Sequence, residues 1–432
     1  MSTRKILLEG PRLAVLLFAL VSVLLGCSDD DTSSAQPGLD AGVSPATPGT
    51  SDGGLAPVGI DGATQPGRPA RYAVQSVLFS PEGTTAYVSI LRSTGPQTID
   101  YAKAIELAGW GDLWVHEGRI YLSSGDGPVI TRYELGDDDS LKETGKIGFA
   151  DYGVTDAAFY MNTFVAPDKA YILNSAFEYV IWNPQTMTIT GTVPLPQLED
   201  RPGLKPRTGT IDRANVVHQG KLYSTMYWSD DEYVTFAPDS RVVVIDIATD
   251  KVERTLDVAC AGLDVGTVDD RGNVWFSTWT SGVLEPLVQG KRPNCIAQIP
   301  AGSTAINGNL LFRDLAEGRE GASLRSIGGG GLVVSIFHQE RVQLAGAADP
   351  GELLGTENWK VWRYDLATGK AAPLPGAPDN AGAVYTTFVD AKPFLLIPGA
   401  DYEKSTIWAV ENGVATRQFE TRGWATRLFR VP

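Results

Sequence analysis

Asp112 in WGDLW, Asp156 in VTDAAF, Asp212 in TIDRANV, Asp264 in GLDVGTV and Asn380 in PDNAGA occupy comparable places along the chain. Each lies at or just before a short apolar run. Oxygen ligands of this kind, brought to one point, suit Ca²⁺. Asp156, Asp212, Asp264 and Asn380 are the expected ligands if such a site exists; no other cofactor is expected. The same residue types also cap turns, because their short side chains hydrogen-bond nearby backbone N–H groups. Both readings stand at this level. Histidine chemistry is poorly served. His116, His218 and His338 form no His-x-x-His or Glu-x-x-His spacing, and there is no Cys-x-x-Cys. His116 and His218 precede polar turns and are expected at the surface. The G-x-S-x-G match at 49–53 lacks the strand–turn–helix setting of a nucleophile elbow. No G-x-x-x-x-G-K-[ST] phosphate loop occurs. Gly328 to Gly331 precede a strand, so they read as a close-packing turn rather than a phosphate cradle.

A second group of residues suits ligand binding. Tyr227, Trp228, Tyr233, Phe236, Trp279 and Trp359 fall in long connecting stretches. Arg201, Lys205, Arg207, Arg213, Lys291 and Arg292 fall in the same stretches of a chain whose net charge is −15. Rings and cations together suit an anionic, ring-bearing ligand, through stacking and charge-assisted hydrogen bonds. The expected contacts are Tyr227, Trp228, Tyr233, Trp279, Trp359, Arg207, Arg213, Lys291 and Arg292. The alternative is local: rings packing beneath their own loops, and cations paired with acids such as Glu199 and Asp200.

The elements that must position these residues are strands. From residue 71 to 432, Gly, Pro, Asn and Asp punctuate short β-branched and aromatic runs. One turn–strand phrase recurs seven times, at 83–91, 118–124, 168–175, 220–228, 272–279, 331–338 and 391–399. A second phrase begins its turn with Asn183, Asp246 or Asp365. NTFVAPDKAYIL and TTFVDAKPFLLI are the same strand–turn–strand written twice. Seven units of about 50 residues, each of four strands, predict an all-β, seven-bladed β-propeller. YDLATGK at 364–370 resembles the outer hairpin of seven-bladed YVTN/WD40-like repeat proteins. The strand-like stretch 425–431 is expected to close the ring on the first blade. The long connections 195–212, 227–241, 278–294 and 337–359 then extend one face, where function is expected.

The start of the chain carries an address. Arg4, Lys5 and Arg12 precede an apolar run ending at Leu25, too short to span a membrane comfortably. Leu24-Leu25-Gly26-Cys27 resembles the bacterial lipobox. That resemblance implies cleavage after residue 26, acylation of Cys27 and attachment to the cell envelope. Ser28 after the cysteine implies the outer membrane. Residues 27–70 carry the acylated cysteine and a Gly/Ser/Pro/Asp-rich tether, expected to be disordered. In such a compartment Cys260 and Cys295 form an even pair and are expected to bridge.

The acidic balance excludes a nucleic-acid footprint. The layout as a whole resembles propeller lipoproteins associated with siderophore gene clusters. It implies a monomeric, membrane-anchored binding protein, more binder than enzyme, for iron–siderophore complexes. Ferric catecholates are one such ligand class. Two alternatives remain. One is a Ca²⁺-dependent lactone or ester hydrolase, since gluconolactonase-like propellers use an axial ring of carboxylates and amides. The other is a protein-interaction platform.

Overall fold

The computed structural model describes residues 69–125, 127–155, 162–209, 215–342 and 353–431. Residues 1–68, with the expected signal sequence, Cys27 and all but the last two residues of the expected tether, lie outside them. The described residues form seven antiparallel sheets of four or five strands arranged as a β-propeller. Blade 1 has the order Trp424–Val431, Arg71–Ser80, Gly83–Leu91, Ile105–Ala108 from the axis outward. The other inner strands begin at Asp112, Asn162, Lys205, Val265, Gly321 and Tyr385 for blades 2 to 7. Blade 4 builds its inner edge from two short strands, Lys205–Thr208 and Val216–His218. Both pair with Lys221–Ser229.

The C-terminal strand closes the ring as expected, but at the innermost position. Arg71 pairs with Val431 and Val77 with Trp424. The repeated phrase at 83–91 is therefore the third strand of its blade, whereas those at 118–124 and 168–175 form second strands. Joining the two ends of the chain in one sheet removes two open edges.

Local chemistry explains the strand connections. The hairpins at Glu117-Gly118 and Gln219-Gly220 have positive φ at both central residues, 48° and 69°, then 48° and 70°. That is the twist-matched hairpin turn. Gly328, Gly329 and Gly330 have φ of 70°, 59° and 72°, and Gly330 donates its N–H to Asp270 of the preceding blade. A side chain would be strained at any of these three positions. The outer hairpins are capped as their composition predicts. Asn183 accepts from the N–H groups of Gln185 and Thr186, Asp246 from Thr249, and Asp365 from Ala367 and Thr368.

Alternating strand residues meet the neighbouring blades. One apolar cluster fills each inter-blade gap, seven in all among the described residues. Trp182 anchors the gap between blades 2 and 3, where it is fully buried and donates to Asn162 Oδ1 at 2.9 Å. Side chains on the short-turn face stitch blades together. Tyr121 and Arg132 donate to Pro184 O, and Lys169 reaches Asp250. His116 belongs to this packing: it is buried and stacked on Phe164 at 4.3 Å. Its expected surface position is corrected, because the neighbouring blade covers the turn it precedes.

Candidate functional site at the axial mouth

The long connections lie on the face opposite the short hairpins. Cys260, at the exit of blade 4, and Cys295, at the start of the third strand of blade 5, are bridged on this face with Cα atoms 5.7 Å apart. In the chain-entropy account, closing a loop of this length stabilises the fold by about 3–4 kcal/mol.

Of the five, Asp112, Asp264 and Asn380 are described, and these three do not share one environment. Asp156, Asp212 and Arg213 lie outside the described residues. Asn380 is not on an inner strand. It pairs with Trp359, in the third strand of blade 6, and its Oδ1 accepts the N–H of Gly382 at 2.8 Å. It is a local cap. Asp112 is buried in an ion pair with Arg427 at 2.8 Å, across the junction of blades 1 and 2. It also accepts its neighbour Leu113 N–H. Among the described residues no group of three or more His, Cys, Asp or Glu side chains could hold a metal ion.

Asp264 does sit at the axial mouth. Its Oδ1 accepts the Trp279 N–H at 2.5 Å, and the Tyr227 hydroxyl lies 3.5 Å from Oδ2. Burial pushes its carboxyl up to about 8, against the hydrogen bonds and the nearby Arg325 charge, which act to lower it. Near neutral pH the group holds its proton. Burial likewise raises Tyr227 well above the usual phenol range.

The predicted aromatic and basic residues are largely committed to their own loops. Tyr227, Trp228, Trp279 and Trp359 are all less than a tenth exposed. Tyr227, Trp228 and Trp359 are strand residues, and Trp359 packs against Leu284, Phe337, Leu353 and Leu354 beneath the long connections. Trp228 donates to Glu199 O, and Arg201 stacks on its ring while forming a two-point pair with Asp239. Arg207 pairs with Asp231 and lies over Tyr233. Arg292 donates to Phe236 O and Glu285, and Lys291 is 3.9 Å from Glu285. These contacts hold the loops down. They satisfy the cations that composition alone presents as free.

A different group gathers at the mouth. Trp279 of blade 5, Tyr385 of blade 7 and Trp424 of blade 1 are in mutual ring contact, with centroids 5.3–6.4 Å apart. Trp110, Tyr402 and Phe79 extend the contacts outward and are partly exposed. The buried Arg325 of blade 6 places its guanidinium 5.5 Å from the Tyr385 ring centre and 6.0 Å from that of Trp279. Of these, only Trp279 was legible as a site residue. The available signal for Arg325 was a cation inside an inner strand, in GASLRSIG, where side chains have no bulk water.

No protein-family model matches this chain, and no curated protein matches it. Solved structures share its fold. A candidate 6-phosphogluconolactonase of Bacteroides fragilis aligns with a TM-score of 0.51 at 9% identity, over 85% of this chain and 100% of that one. A second, from Bacteroides uniformis, gives 0.50 at 11% identity over 84% and 100%. A protein of Lactobacillus plantarum gives 0.50 at 12% identity over 84% and 99%. Identities this low speak for the propeller fold alone.

Proposed function

We propose that this chain is an exported, lipid-anchored β-propeller that binds a small anionic, ring-bearing ligand at the axial mouth of its long-loop face. The supporting observation is the aromatic cluster of Trp279, Tyr385, Trp424, Tyr402, Trp110 and Phe79, with the Arg325 guanidinium among its rings. Rings from well-separated parts of the chain meet there, and the outermost remain partly exposed. Stacking and cation–π attraction are strongest where water is excluded. Ferric catecholate complexes carry both the rings and the negative charge such a surface selects. Titration with a ferric catecholate should quench tryptophan emission saturably, with Trp110→Ala weakening the response. Unchanged emission would remove the support for binding. Turnover of a lactone in the same preparation would instead favour a hydrolase, in which the un-ionised Asp264 carboxyl serves as the acid.

The address rests on Leu24-Leu25-Gly26-Cys27. Several acyl chains on Cys27 would anchor the body stably, at about 0.8 kcal/mol per buried CH₂. Cys27→Ser is expected to move the protein from the membrane to the soluble fraction. Retention in the membrane fraction would refute lipid attachment at this residue.

A further inference from the structure

Two of the three histidines hold equivalent places in the ring of blades. His116 ends the inner strand Asp112–His116 of blade 2, and His218 ends the inner segment Val216–His218 of blade 4. Each stands just before its own hairpin turn, and each ring leans on the corresponding turn of the next blade. His116 Nε2 is 3.1 Å from Pro167 O, in the turn that joins Asn162–Ala166 to Lys169–Leu173 of blade 3. His218 Nε2 lies 3.5 Å from the place a Cβ on Gly272 would take, in the turn that joins Val265–Val268 to Val274–Ser277 of blade 5.

On each ring one nitrogen is buried without a hydrogen-bond partner: Nδ1 of His116 and Nε2 of His218. Neutral imidazole carries one N–H and one lone pair, whereas imidazolium carries two N–H groups. His116 is 1% exposed and stacked on Phe164. Protonation would place a second N–H on its Nδ1, where no acceptor stands in hydrogen-bonding geometry. A buried charged donor left unpaired is costly. The third histidine, His338, has Glu340 Oε1 2.9 Å from Nδ1 to meet its charge.

We propose that His116 and His218 form an acid-sensitive clasp on the short-turn face, holding blades 2 and 4 to the blades that follow while the rings are neutral and loosening when they are protonated. The clasp is independent of the ligand-binding reading of the mouth, which lies on the opposite face. Burial lowers both histidines from the ordinary 6.5. The Pro167 backbone and the Glu117 charge act the other way at His116, as do the Gly272 backbone and the Asp269 charge at His218, and burial outweighs them. A base whose folded value is lowered favours the folded state above its ordinary value. That contribution is lost as pH falls from about 6.5 toward the folded value. Other charged groups adjoin the clasp. His116 is paired across its hairpin with Arg119, and the blade 3 turn carries Asp168 and Lys169, the latter paired with Asp250. His218 is paired across its hairpin with Lys221, which is held by Asp246 and Glu253. The blade 5 turn also carries Asp270, which accepts the Gly330 N–H, and Arg271, which donates to Leu366 O.

The test is urea unfolding of the full chain in detergent at pH 7.5 and pH 5.5, for the parent, His116→Gln, His218→Gln and the double variant. Glutamine keeps an N–H for the facing turn and does not titrate. The carboxyl groups, Asp264 included, are common to all four proteins, so the change in each ratio isolates the rings. On acidification the unfolding constant of the parent should rise about three- to tenfold more than that of either single variant, and more than about tenfold relative to the double. Only the change with pH is read, so a variant that is less stable at both values still serves. If glutamine at 116 prevents folding, histidine-selective NMR of the folded parent carries the test: His116 and His218 should stay mostly neutral at pH 6. Ratios that do not move with pH, or ring signals that titrate at about 6.5 or above, overturn the clasp.

Discussion

Asp264→Asn should leave the protein about as stable as the parent near pH 4, modestly more stable at pH 5 and clearly more stable at pH 9. The carboxyl's ordinary value of 3.8 is raised to about 8 in the folded protein, chiefly by burial. An acid whose folded value is raised favours the folded state most at low pH. That contribution is complete below about pH 4 and is lost progressively as pH rises to about 8. The slope approaches 1.4 kcal/mol per pH unit, so the total loss is on the order of 5 kcal/mol as an upper estimate. Asparagine fits the same space and carries no charge. Its oxygen can accept from Trp279 N–H, and its amide can face the Tyr227 hydroxyl. The other ionisable groups around the site are Arg325, Tyr233 and Arg207. They are common to both proteins, so the difference between the two curves isolates Asp264. Urea unfolding of the two proteins from pH 4 to pH 9 measures it. Parallel curves across that range would mean the carboxyl is not held un-ionised by burial.

Arg427→Met should cost about 3–5 kcal/mol, the usual penalty for breaking a buried ion pair from one side. Arg427 lies in the closing strand of blade 1, and Asp112 opens the inner strand of blade 2. Their side chains are 4% and 0% exposed. Removing the guanidinium takes from a buried carboxylate the countercharge that sits 2.8 Å away. Combining Arg427→Met with Asp112→Asn removes that charge while keeping an acceptor for the Leu113 N–H. The double variant should recover much of the loss, because the penalty belongs to the unpaired charge more than to the lost attraction. Equilibrium unfolding of the parent, both singles and the double gives the coupling directly. A single variant costing less than about 1 kcal/mol would place the pair among screened surface contacts, against its burial.

Much of the architecture was readable residue by residue. Asn183, Asp246 and Asp365 cap the turns their side chains suggest. The two similar phrases at 162–173 and 386–397 are inner hairpins of blades 3 and 7. The pairing of Cys260 with Cys295 follows from having two cysteines left once Cys27 is set aside. The site was less legible. Tyr227, Trp228 and Trp359 looked like loop aromatics. Yet the flanking strands run further than the turn residues suggested, and the long connections cover the rings. Arg207 and Arg292 looked free because their partners Asp231 and Glu285 are settled only once the loops fold back. Asn380 seemed equivalent to Asp264 by spacing, but the chain there pairs with the third strand of blade 6 and not with an inner one.

The amino-acid sequence by itself determined the blades. Period-two alternation, hairpin turns with positive φ and Asx caps act over a few residues, so they can be read locally. Which residues share the axial mouth was decided only by the tertiary structure. Asp264, Arg325, Tyr385 and Trp424 come from four different blades, and their meeting depends on the closing strand seating innermost against Arg71–Ser80. That placement is set by the burial of whole blade faces against one another, a property of the closed ring that no local stretch encodes.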